Sequence, residues 1–155
     1  MGSLLAETSC PQPCPHRFTG DTAQLLYFLS FAAAERYGAQ HELAQAAQIL
    51  RHRFKISLSP LLNFTTAQAR EGPTARAGRV KEDEADRRDL ERAWQDPAPL
   101  AEACRRVLEA LWSGHQEISR ALADYPEIAP RLAELERIAS WAAAEGCRIR
   151  LLYSL

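Results

Sequence analysis

Residues 96–126 read DPAPLAEACRRVLEALWSGHQEISRALADYP, and this stretch decides the fold. Asp96 is favoured at the position that caps a helix, and Pro97 suits the first helical turn. A stripe of mostly apolar side chains then recurs every three or four residues, which is typical of the buried face of a helix. The stripe consists of Leu100, Cys104, Val107, Leu108, Leu111, His115, Ile118 and Leu122. Because it keeps its phase across Gly114, we predict one helix from Pro97 to Ala123.

Four more helices are predicted on either side of this stretch. Residues 19–38 are apolar on nearly every side, which is typical of a helix in the middle of a core. Residues 41–54 carry a single apolar stripe, and residues 59–72 begin with a Ser-Pro pair and end at a glycine. Residues 130–145 are followed by Gly146, and a glycine commonly ends a helix.

The most charged part of the chain is RVKEDEADRRDLER, residues 79–92. On a helical projection Val80, Leu90 and Trp94 form a narrow apolar seam, and acid–base pairs four residues apart support the rest. We favour a solvated helix over 79–95. A charged linker and a seam that pairs with a second copy of the chain are the alternatives.

Short extended segments complete the predicted fold. Residues 54–58 alternate apolar and polar side chains, and residues 147–153 resemble an extended tail, so the two allow a small two-stranded patch. Residues 1–18 hold prolines between cysteines and predict an irregular arm. The chain is therefore predicted to be mainly α, a single-domain bundle of five or six helices over 19–155.

Composition restricts the function classes. The chain has 155 residues, 46% of them hydrophobic, and a net charge of -1, which makes nucleic acid an unlikely partner. No stretch reaches the roughly 20 apolar residues that a membrane helix needs, and no export signal is recognisable. Arginine supplies 17 of the 19 basic residues, a bias typical of a bacterial genome rich in GC. We expect a cytoplasmic protein.

The four cysteines are expected to be reduced thiols in that compartment. Cys10, Cys14 and His16 could offer two thiolates and an imidazole to Zn²⁺. Their C-x3-C-x-H spacing departs from the usual knuckle, and no second pair of ligands follows. We therefore expect no metal and no other cofactor, with this trio as the alternative metal site.

Arg36 and His41 have the R-x4-6-H spacing that helical HEPN-type ribonucleases use, so this pair resembles their motif. The resemblance implies that the two side chains would meet across a dimer and act on a 2′-hydroxyl and phosphate of RNA. A chain with this many arginines and histidines yields about one such spacing by chance. A ribonuclease is therefore an alternative and not the main prediction.

The main prediction is a helical interaction or regulatory module without catalytic activity, which binds itself or another protein. Trp94, Trp112 and Trp141 are candidate anchors because tryptophan is enriched in binding hot spots. His115 is expected to be largely buried, and it marks the candidate ligand pocket. A core histidine bonded to a carbonyl group or water is the structural alternative.

Overall fold

The computed structural model describes residues 2–34, 41–66 and 87–154, and within them it shows seven helices and a three-stranded sheet. The mainly α prediction is confirmed, although the sheet makes the fold a mixture of helices and strands. None of the described helices combines the length and apolar character needed to cross a membrane. The elements are β1 (Ser3–Thr8), α1 (Ala23–Ala33), α2 (Glu42–His52), α3 (Ser59–Leu62), β2 (Phe64–Thr66), α4 (helical over 87–92), α5 (Pro97–Leu111), α6 (Gln116–Ala121), α7 (Ile128–Ala144) and β3 (Ile149–Ser154).

The centre of the fold is the antiparallel pair α5 and α7. Asp96 caps α5 as predicted, since its carboxylate accepts the Ala98 N–H at 3.1 Å. Arg105 of α5 meets Glu136 of α7 at 3.0 Å, and α1 packs on the same core. The largest fully buried side chains include Leu25, Leu29, Leu100, Leu132 and Leu135.

The prediction of one helix from Pro97 to Ala123 is wrong. α5 ends at Leu111, and Gly114 has a φ of +81°, a left-handed conformation that breaks the helix. His115 is extended and begins α6, where its Nδ1 accepts the Ile118 N–H at 3.4 Å. The apolar stripe keeps its phase because α5 and α6 both face one core, so phase alone could not distinguish one helix from two.

Two other helices are shorter than predicted. α3 covers four residues of the predicted 59–72 helix, and β2 follows it at once. The three residues of β2 are aromatic or β-branched, types that favour strands, and they pair with β3. α1 occupies the middle of the predicted 19–38 helix, whose residues 35–40 lie outside the described ranges.

The sheet pairs β1, from the first part of the chain, with β3, from the last part. β3 lies between β1, which is antiparallel to it, and β2, which is parallel to it. The arm predicted to be irregular over residues 1–18 thus contains a strand, with Ser3 opposite Ser154 and Thr8 opposite Ile149. The predicted strand at 147–153 exists nearly in place, but its predicted partner was wrong.

Residues 54–58 are not a strand because they wrap the end of α2. The N–H groups of Phe54 and Ile56 bond to the carbonyls of Ile49 and Leu50, at 3.3 and 3.1 Å. Lys55 takes a φ of 55° between them. These bonds satisfy carbonyl groups that the helix end leaves open.

The seam predicted on the charged segment faces inward. Leu90 is 8% exposed and packs with Leu5 and Leu152 on the sheet face that does not contact the main core. Trp94 lies under the guanidinium of Arg150, 4.3 Å from the ring centroid. Val80 lies outside the described residues. Leu90 and Trp94 therefore hold α4 and the residues after it on the sheet and do not form a free surface.

A disulfide joins Cys10 and Cys147, which corrects the expectation of four reduced thiols. Cys10 is thereby unavailable to the candidate zinc trio, of which Cys14 remains a free thiol. The sequence could not reveal this pair because 137 residues separate its members. Cys104 is buried, and this burial raises the pKa of its thiol far above the usual range.

Candidate functional site

A group of aromatic side chains at the surface is what we call the aromatic face. Tyr27, Phe31, His41 and Tyr125 form it through ring contacts, and Trp112 joins it through the pocket that it lines together with Tyr125. Trp112 is 68% exposed and Tyr27 is 46% exposed, and both are large apolar side chains. Tyr27 lies at the centre of the group, with ring centroids 4.9 Å from Phe31 and 6.3 Å from Tyr125. Surface aromatics of this kind are enriched in protein interfaces.

Local structure fixes these rings. Tyr27 and Phe31 are one helical turn apart on α1, so they meet edge to face. His41 caps α2, since its Nδ1 accepts the Leu43 N–H at 3.1 Å, and its ring stacks on Phe31 at 4.0 Å. Tyr125 lies between α6 and α7, where its N–H bonds to the Leu122 carbonyl. The face is therefore largely pre-formed.

Trp112 stands at the rim of a small uncharged pocket. The pocket has a volume of about 160 Å³. An apolar cavity of about 150 Å³ holds a benzene-sized ring, so the pocket has room for one bulky side chain. Its lining comes from the ends of α5 and α6 and the start of α7, and consists of Leu111, Trp112, Ile118, Ser119, Leu122, Tyr125, Pro126, Ile128 and Ala129.

An open polar groove of about 740 Å³ runs between α2 and α6. Its charged residues balance, with Glu42 and Glu117 against Arg53 and Arg120. Arg53 and Glu117 form an exposed ion pair at 3.6 Å. Because the charges alternate, the groove has no strong field of one sign and favours a ligand that also carries both signs.

The groups at the aromatic face are suited to contact more than to proton transfer. Partial burial and then the charge of Glu42 raise the pKa of Tyr125, so its hydroxyl stays neutral around pH 7. His41 uses Nδ1 as a helix cap. Among the residues that the structure describes, no three His, Cys, Asp or Glu side chains are grouped to hold a metal ion.

The candidate site residues that the sequence suggested do not lie together in one site. His41 joins the aromatic face, whereas Arg36 lies outside the described residues, so the ribonuclease pair stays a prediction. His115 is half-buried instead of largely buried, caps α6, and packs edge-on against Phe54 at 5.6 Å. It lines neither the uncharged pocket nor the groove. Cys14 accepts an N–H from the backbone of His16 at 3.4 Å.

Sequence patterns gave only part of this site. Trp112 was identified as a candidate anchor, but Tyr27 looked like one more apolar residue of a buried helix. Tyr125 lies between α6 and α7, where the sequence prediction also has a connection, but no sequence pattern marks it as part of a site. Three comparisons, with family models, with curated proteins and with solved structures, found no match. Function is therefore inferred from the aromatic face, the pocket and the groove.

We expect His41→Ala to lower the free energy of unfolding by about 1 kcal/mol, because α2 loses its cap. His41→Asp is the matched variant, since aspartate caps well but cannot stack on Phe31. Urea unfolding should show that Asp recovers most of the loss. If Asp is as unstable as Ala, the cap is not what His41 contributes.

Proposed function

We propose that this chain is a helical protein-interaction module without catalytic activity, and that its partner binds at the aromatic face. The observation that carries the proposal is Trp112, 68% exposed beside an uncharged pocket. Exposing an indole ring to water forgoes the roughly 1.5–3 kcal/mol that burial of a large apolar side chain contributes. A partner that covers Trp112 recovers this free energy.

The chemistry around Trp112 favours a protein partner. The apolar pocket can take one bulky side chain, and the balanced groove can pair with acidic and basic side chains. A nucleic acid would need an excess of basic side chains, because binding it depends on neutralising phosphates. Protein interfaces have an apolar centre, and the pocket beside Trp112 supplies such a centre.

The partner is a second copy of the chain or another protein. Self-association was predicted through Val80, Leu90 and Trp94, of which the last two pack within the fold. Trp112 and Tyr27 replace them as the proposed contact. A patch that holds both an apolar side chain and an apolar pocket can complement itself across a two-fold axis.

We expect Trp112→Ala to weaken association at least about thirtyfold, because truncation of a hot-spot tryptophan costs about 2 kcal/mol or more. Sedimentation over a wide concentration range measures self-association. Glu102→Ala, about three turns earlier on the exposed side of α5, is the control and should associate like the wild type.

If the wild type stays monomeric at every concentration, the proposed partner is another protein. In that case a photo-crosslinking residue at position 112 and one at position 102 should give different products. Equal crosslinking from both positions contradicts the proposed face. RNA cleavage by the pure wild type that disappears in Arg36→Ala and in His41→Ala would favour the ribonuclease.

The cytoplasmic location proposed from the sequence has to accommodate the disulfide. Disulfides persist in oxidising compartments, and in a reducing cytosol they are mostly transient or redox-sensing. Thiol labelling in intact cells that naturally make the protein distinguishes these cases. Two free thiols in every molecule, counted after acid quenching and denaturation so that the buried Cys104 also reacts, mean a permanent disulfide. A changing mixture of two and four free thiols means a reversible one.

A further inference from the structure

The Cys10–Cys147 disulfide lies where two regular elements end. Cys10 follows β1, whose pairing continues as the Ser9 N–H bonds to the Arg148 carbonyl at 3.0 Å. Cys147 follows α7, where Gly146 has a φ of +71° and the Cys147 N–H bonds back to Ala142 at 2.9 Å. This is the glycine-based helix end that fixes the next residue in space. The fold therefore holds both sulfurs together.

The residues after Cys10 form what we call the strap, residues 11–18. No helix or strand includes them, and Pro11, Pro13 and Pro15 have no N–H to donate. The strap is held by a 2.8 Å hydrogen bond from Gln12 to Glu145 and by packing of Cys14 and Phe18 on the core. Segments with so few fixed contacts open locally at low free energy.

The disulfide is accessible to a reductant. Cys10 and Cys147 are both half-buried. Cys147 lines an open cleft of about 520 Å³ together with Trp94 and Arg148. Cys147 lines this cleft and Cys10 does not, so Cys147 is the cysteine that a thiolate entering the cleft can approach. The exposed Arg148 favours the negative charge of the incoming thiolate.

We propose that this disulfide is a redox-sensitive latch that holds the strap on the core. This inference is independent of the proposed function. A dithiol reductant attacks Cys147 Sγ, and the S–S bond breaks as Cys10 Sγ leaves with the electron pair and takes a proton. The second thiol of the reductant then displaces Cys147, so the reductant becomes a disulfide and both cysteines become thiols.

Reduction leaves the sheet and the core in place but frees the strap at its N-terminal end. β1 keeps its six-residue pairing with β3, and Thr19 stays bound to Glu134. Between these points the strap opens more often and uncovers the Cys14 thiol and the apolar surface beneath it. Cys14 is therefore a built-in reporter, while Cys104, buried in the core with a raised thiol pKa, reports global unfolding.

The test measures alkylation of Cys14 and Cys104 by mass spectrometry, in the full chain under native conditions. Reduction by a small dithiol should speed alkylation of Cys14 about tenfold or more, as local opening becomes more frequent, while Cys104 still reacts far more slowly than Cys14. The double variant Cys10→Ser/Cys147→Ser should show the fast Cys14 rate with and without the dithiol. Circular dichroism should show the same helix content in all three states.

Two results would overturn the latch. Equal Cys14 rates in the oxidised and reduced proteins would mean that the disulfide does not control the strap. Alkylation of Cys14 no faster than that of Cys104 after reduction would mean that the strap opens only when the whole fold opens, and that the disulfide is not a local latch.

Discussion

Cys147→Ser should lower the free energy of unfolding by about 3–5 kcal/mol, because the variant cannot form the disulfide between residues 10 and 147. The disulfide joins residues separated by 137 positions, and a crosslink of that span removes much of the freedom of the unfolded chain. Urea unfolding without reductant measures the change. The wild type in excess dithiol should unfold at the same urea concentration as the variant.

The matched control for this prediction is Cys14→Ser. Cys14 is half-buried and forms no disulfide, so its replacement changes packing at one place and leaves the crosslink intact. We expect a small shift compared with Cys147→Ser. If Cys147→Ser and the reduced wild type unfold at the same urea concentration as the oxidised wild type, the crosslink contributes nothing to stability.

Helix ends that depend on a few neighbouring residues could be predicted from the sequence. The Asp96-Pro97 start of α5 holds as expected, and α7 occupies Ile128–Ala144 against a predicted 130–145. These predictions rest on caps and on the 3.6-residue period, which are local properties. Gly114 shows the limit of these local signals. The unbroken apolar stripe predicted one continuous helix, whereas the left-handed Gly114 separates two helices.

Contacts between distant residues could not be predicted in this way. β1 pairs with β3 across almost the whole chain, and SLLAET lacks the alternation that indicates a strand. The disulfide and the site depend on the same pairing of distant parts. Tyr27, Tyr125 and Trp112 come from three separate segments, and only the packing of α1, α5, α6 and α7 brings them to one side.

A buried ionic cluster on α7 is another product of distant contacts. Arg131 and Glu134 are 8% and 7% exposed, and the Arg131 Nε lies 2.7 Å from a Glu134 oxygen. Glu134 also accepts the N–H and the hydroxyl of Thr19, and Arg131 reaches Glu127 at 3.3 Å. The guanidinium fills the space above Gly20, where a Cβ would overlap it. The cluster thus fixes the chain just before α1 against α7.

Glu134→Ala should lower the free energy of unfolding by about 3–5 kcal/mol, because it leaves the buried Arg131 with a partly exposed partner only. Urea unfolding measures the loss.

The matched control is Glu102→Ala, which breaks the Arg105–Glu102 pair at the same three-residue spacing on the surface of α5. Water solvates Arg105 once Glu102 is removed, and Glu136 still binds it, so the control should change stability far less. Glu134→Gln keeps an acceptor for Thr19 and should lie between the two. Equal losses for Glu134→Ala and Glu102→Ala would show that burial of the α7 cluster has no energetic consequence.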